Sequence, residues 1–133
     1  MIGLIVATHS QLAAEFLRAA EMIIGSTPNV RAVCIRREES VEEIRAEFQQ
    51  AIEDVGHGEN GILIMTDMLG GTPSNISLSY LSSEHVEVLT GVNLPMILKF
   101  FNSREDLSLS ELAASVRSYG RQGITVTSEY LPK

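Results

Sequence analysis

A chain of 133 residues is the size of one domain and can bury a core without disulfides or metals. With 44% hydrophobic but only 5% aromatic residues, that core is aliphatic, as in strands covered by helices on both faces rather than in a sandwich. A formal net charge of −7 excludes a broad footprint on nucleic acid, which needs clustered Lys and Arg.

Residues 2–7 form an unbroken apolar run, the pattern of a strand buried on both faces of a parallel sheet, and the run ends at Thr8-His9. Ser10 then reads as the cap of a helix whose apolar positions Leu12, Ala13, Phe16, Leu17, Ala20, Ile23 and Ile24 recur at three- and four-residue spacing, with Gly25 as its stop. Val30–Ile35 reads as a second strand, and it holds the single cysteine, Cys34, as a buried thiol. Ser40 and Glu43 form a capping-box pair opening a helix through Ile44, Phe48, Ala51, Ile52 and Val55. Glu38, Glu39, Glu42 and Glu43 read as the solvated entrance of that helix.

Residues 61–66 are a third buried strand leading to Asp67, and Gly70-Gly71 turns the chain into Thr72-Pro73, an N-cap followed by Pro at the first helical position. That helix is expected to reach about Leu81. Val86–Thr90 is a fourth strand, followed by helices over 93–101 and 111–119, the latter capped by Ser110. The β-branched alternation of residues 124–130 suits a half-exposed strand at a sheet edge or on a partner subunit. No repeat or linker interrupts this order, so residues 1–133 read as a single domain. Residues 1–7 lack the basic flank and the length of a signal segment, and no apolar stretch reaches spanning length, so a cytoplasmic protein is expected.

Strands alternating with helices imply a doubly wound, mostly parallel α/β sheet, in which ligands bind beyond the carboxyl ends of strands where the strand order reverses. With the order 2-1-3-4, that point lies between strands one and three, which end on His9 and Asp67. The residue types suit phosphoryl transfer. A neutral imidazole attacks phosphorus with one ring nitrogen while a carboxylate within about 3 Å holds the proton on the other. Backbone N–H groups after Gly70-Gly71, with Thr72, Ser74 and Asn75, and a second helix entrance at Ser10, would receive the phosphoryl group without Lys or Arg. His57 and His85 read as solvated loop residues. The three histidines lack paired ligand spacing, so no metal is expected, and neither a dinucleotide fingerprint nor a P-loop is present, so no cofactor is expected either.

Three motifs, Ala7-Thr8-His9-Ser10, Thr66-Asp67-Met68-Leu69-Gly70-Gly71-Thr72-Pro73-Ser74-Asn75 and Thr90-Gly91-Val92-Asn93-Leu94-Pro95-Met96, together resemble the mannose-family enzyme IIA domains of the bacterial sugar phosphotransferase system. The resemblance implies a histidine phosphocarrier. It would take a phosphoryl group from the general histidine phosphocarrier protein on Nε2 of His9, with Asp67 bonded to the ring, and pass it to an enzyme IIB on a separate chain. It also implies a homodimer that exchanges its last strand, and contact with a membrane only through a permease complex. The chain departs from the family at Ala7 and Ser10, where glycines are common, at Thr72, matched to a frequent Ser, and at Arg36-Arg37-Glu38-Glu39-Ser40, which lacks the Pro-Gly-Glu of many members. Two other readings stand beside transport: the phosphocarrier subunit of dihydroxyacetone kinase, which departs at the Gly-Gly-Thr-Pro turn, and a regulatory module whose phosphorylation state another protein senses.

Overall fold

The computed structural model describes residues 1–55, 60–81 and 85–131; His57 lies outside them. Four parallel strands, β1 (Gly3–His9), β2 (Val30–Ile35), β3 (Ile62–Thr66) and β4 (Val86–Thr90), form one sheet in the order β2-β1-β3-β4. The helices are α1 (Leu12–Ile24), α2 (Val41–Val55), α3 (Thr72–Leu78), α4 (Leu94–Ser103) and α5 (Leu109–Gln122).

The period-two geometry of a strand divides the core into two layers. Leu4 and Val6 of β1 with Leu63 and Met65 of β3 pack under α1, α4 and α5, against Ala13, Ile97, Phe100, Leu112 and Val116. Ile5, Ala7, Ile62 and Ile64 point the other way and meet Ile44, Phe48, Ala51, Val55 and Ile76 of α2 and α3. Because both faces are covered, β1 and β3 need apolar residues at every position, which is why they read as unbroken runs. Gly3 is required where α2 ends against β1: a Cβ there would lie 2.6 Å from Val55 O.

Several expected boundaries shift. Ser10 is not the cap of α1; it stands at φ 55°, in the left-handed region, and its N–H donates to Ile35 O at 2.8 Å. The hydroxyl of Thr8 satisfies the first turn instead, accepting from Ala13 N at 2.7 Å. Leu12 and Ile23, placed on the buried face by their spacing, are exposed, and α1 buries only Ala13 and Ala20 fully. α3 stops at Leu78 rather than near Leu81. α5 begins two residues earlier than expected, because Ser108 rather than Ser110 is its cap and makes a capping box with Glu111. Asn93 does cap α4, its side chain accepting from Met96 N at 3.1 Å.

Within the single chain, residues 124–130 form no strand. Gly123 to Val126 run without regular structure into a 3₁₀ turn at Thr127–Glu129, and Ile124, Val126, Tyr130 and Leu131 are exposed.

Candidate active site

β1 and β3 are neighbours, with Ala7 opposite Thr66, so the residues that follow the ladder leave the sheet side by side. Asp67 takes up the next two donors of β1. Its Oδ2 accepts from His9 N at 3.0 Å and lies 2.7 Å from His9 Nδ1. Oδ2 also accepts from a backbone N–H, and an ionised carboxylate only accepts, so the tautomer that satisfies the ring contact is the one with the proton on Nδ1 and the lone pair on Nε2. The carboxylate is largely covered, at 14% exposure, while the ring is 51% exposed. The carboxylate is therefore held inside while half of the ring is open to solvent.

The other edge of the ring abuts Gly71, where a Cβ would lie 2.8 Å from Cε1 and 3.3 Å from Nε2. Gly71 is also the N-cap of α3, with Pro73 buried in the first turn. The first amide of α3 that returns into the helix is Asn75 N, to Gly71 O at 2.9 Å. The N–H groups ahead of it belong to the set that a helix leaves without an internal acceptor. Thr72 and Asn75 are exposed beside this turn, Asn75 Nδ2 reaching Gly70 O at 3.5 Å, and Gly70 takes φ 90° in the bend. Ser74 is placed differently: it is fully buried, and its Oγ has no partner, as have Thr66 Oγ1 and the second carboxylate oxygen of Asp67.

A cleft of about 560 Å³ opens beside His9, Ser10 and Thr72, with the loop 36–39 as its far wall. Of the acidic entrance expected from its composition, Glu38, Glu42 and Glu43 are exposed, but Glu39 is not. The Glu39 side chain is 3% exposed, and its Oε1 accepts from Arg36 N at 2.7 Å while Glu39 N returns to Arg36 O at 3.2 Å. Arg36 Nε stands 3.6 Å from the same oxygen. The neighbouring Glu47 carboxyl, then the Arg36 amide, hold the Glu39 carboxyl below its usual range. Burial, then the Glu39 carboxylate, push Glu47 up to about 7. The two acids thus favour one shared proton. Arg36 and Glu39 escaped sequence reading; the only trace is their three-residue spacing in a segment rich in both charges. Glu43 N does bond Ser40 Oγ, at 3.1 Å, which is one half of the expected box.

Fold and site together define an α/β domain with its chemistry at a switch point of the sheet. Within that class, residues 3–117 match the model of the family described as PTS system fructose IIA component, and the chain belongs to that family. It is 30% identical over 134 residues to the PTS system fructose-specific EIIA component of Bacillus subtilis (strain 168), covering 100% of this chain and 91% of that protein. It is 31% identical over 125 residues to the PTS system mannose-specific EIIAB component of Escherichia coli (strain K12), covering 92% of this chain but only 38% of that longer protein. The crystal structure of phosphotransferase system component EIIA from Streptococcus agalactiae superposes with a TM-score of 0.88 at 28% identity, over 97% of this chain and 99% of that one.

The family is that of the sugar phosphotransferase system, whose EIIA components are phosphotransferases working in a relay with the histidine phosphocarrier protein and an EIIB component. Among the described residues, no three His, Cys, Asp or Glu cluster to hold a metal, and no helix is long and apolar enough to cross a membrane.

Proposed function

We propose that His9 carries the phosphoryl group of a sugar phosphotransferase relay, accepting it from the histidine phosphocarrier protein and passing it to an EIIB on a separate chain. The observation that supports this most directly is the 2.7 Å contact between His9 Nδ1 and Asp67 Oδ2 beneath a solvent-facing ring. In the forward step the Nε2 lone pair attacks phosphorus and an N–P bond forms. The N–P bond to the donor histidine breaks, returning its electron pair to the donor ring. The Nδ1 proton stays in its bond to Asp67, which offsets the charge on the substituted ring. The backbone around Gly70 and Gly71, with Ser10, Thr72 and Asn75 at the rim, receives the phosphoryl oxygens. Ser74 stays beneath the turn and does not touch the ligand, because its hydroxyl is sealed from solvent. The relatives' names divide between fructose and mannose, which fits a relay in which the sugar is chosen downstream of the EIIA step.

The protein acts as a single cytoplasmic domain in a homodimer, with residues 124–131 as the exchanged segment. Four large apolar side chains exposed in one short tail support this, since a tail of that composition gains from cover on a second subunit. The carrier role is tested by incubation with phosphorylated histidine phosphocarrier protein. Wild type, His57→Ala and His85→Ala are expected to take up label alike, with phosphorus on Nε2 by NMR. Label retained by His9→Ala, or phosphorus found on Nδ1, overturns the assignment.

A further inference from the structure

At the amino end of the sheet, away from His9, Arg104 follows the last turn of α4 and is 5% exposed. Its guanidinium carbon lies 5.6 Å and 5.1 Å from the ring centroids of Phe100 and Phe101, and Nη1 reaches Ile2 O at 3.4 Å. Among the described residues, none of the ion pairs within 4.0 Å includes Arg104. Burial pulls its pKa below the ordinary arginine value, against a weaker opposing effect of Glu105. A buried cation in this state is costly until an anion with matching geometry joins it.

A guanidinium has five N–H donors in a rigid fork, and the carbonyl of Ile2 occupies one. The sealed, partnerless side-chain atoms among the described residues belong to Glu39, Thr66, Asp67 and Ser74, not to Arg104. The unused donors of this otherwise covered side chain therefore retain access to solvent, and a cleft of about 570 Å³ opens onto it. Its wall is apolar at Ile2, Leu107 and Leu109, polar at Asn60, and acidic at Glu105. Aromatic and cation–π contacts and a chain carbonyl give Arg104 a structural role at the end of α4, but that role uses the faces of the guanidinium and one donor, and leaves the fork open.

We propose that this cleft binds the carboxylate of a small organic acid, held by the open fork of Arg104 with the acid's carbon skeleton against Leu107 and Leu109. A planar carboxylate matches two parallel N–H donors, whereas the Glu105 carboxylate at the rim disfavours a phosphate dianion more than a monoanion. The volume exceeds that of an inorganic ion and suits a metabolite-sized acid.

The site is independent of the carrier role and is tested without phosphotransfer. ¹⁵N-labelled full-length protein is titrated with sodium lactate, with inorganic phosphate, and with sodium chloride at matched ionic strength. Lactate is expected to give saturable shifts at the Arg104 Nε–H and at the amides of Ile2, Gly3 and Leu107 to Leu109, with a millimolar Kd and no matching response to chloride. Arg104→Met is expected to abolish them, and Arg104→Lys, which keeps the stem and charge without the fork, to weaken them about tenfold or more. Unsaturable shifts, equal binding by Arg104→Lys, or saturation by phosphate alone each overturn the proposal.

Discussion

At the carboxyl end of the sheet, His9 is half exposed and its inner nitrogen is bonded to a nearly covered carboxylate; at the amino end, Arg104 is almost wholly covered and has only a carbonyl and two rings. Clefts of similar volume open beside both. The difference lies in which partner the fold supplies. The histidine receives its counter-charge from the neighbouring strand and keeps one edge for chemistry. Among the described residues the arginine has no carboxylate within 4.0 Å, and desolvation without a counter-charge is the condition under which an external anion gains most. A cleft's size says little about its purpose; the state of the ionisable group on its wall says more.

The contrast is tested first at its strongest point. His9→Ala is expected to lose phosphoryl uptake entirely while leaving Tm near wild type, because a half-exposed ring contributes little packing; a phosphorylation assay with thermal melts checks both. Asp67→Asn is expected to slow transfer about 10²-fold by rapid-quench kinetics, since an amide neither offsets the ring's charge nor secures the same tautomer. Wild-type rates in both directions would show that the 2.7 Å contact is only structural. Gly71→Ala is a smaller and more specific perturbation. The glycine stands at φ −86°, ψ 172°, which alanine adopts freely, so the conflict is solely with the ring 2.8 Å away. Transfer should fall about tenfold with little change in stability, and an unchanged rate would mean that the ring moves aside without cost.

The smallest expected effect concerns the wall of the cleft beside His9. The Glu47 carboxyl is raised to about 7, so the fold favours its protonated form. That contribution is present in full below the ordinary glutamate value of 4.5 and is lost as pH rises through about 7. Glu47→Gln keeps a neutral donor toward Glu39 at every pH. Its Tm should exceed wild type at pH 8 by a few degrees, and the gap should close toward pH 4.5. A gap independent of pH in thermal melts would sever the two acids.

The two central strands were legible because they are buried on both faces, β3 starting one residue late at Ile62, and the edge strands β2 and β4, though only partly buried, have the bounds their apolar runs suggest. His9 and Asp67 were legible together because strand order alone brings their strand ends into contact. What stayed hidden depends on contacts that no local pattern encodes. Thr8 replaces Ser10 at the start of α1 because the chain turns through a left-handed residue before the helix begins. Glu39 is buried by a loop that folds back onto Arg36 and by an acid on the following helix. Arg104 depends on a carbonyl 102 residues away. The tail reads as a strand by alternation, yet a strand needs a ladder, and within one chain none is offered.

The His9–Asp67 contact also spans 58 residues and crosses a parallel connection, the kind of pairing that closes slowly because its loop entropy is spent before its contacts form. β1 up to Thr8 and all of β3 are buried at every position, so a slip of one residue exchanges the two layers of the core and carries Asp67 away from the ring. The bond between them is thus a gauge of alignment. A folding intermediate with both strands formed but misaligned would hold secondary structure without a competent imidazole, and recovery of phosphoryl uptake during refolding would time the moment at which the central pair of strands finds its register.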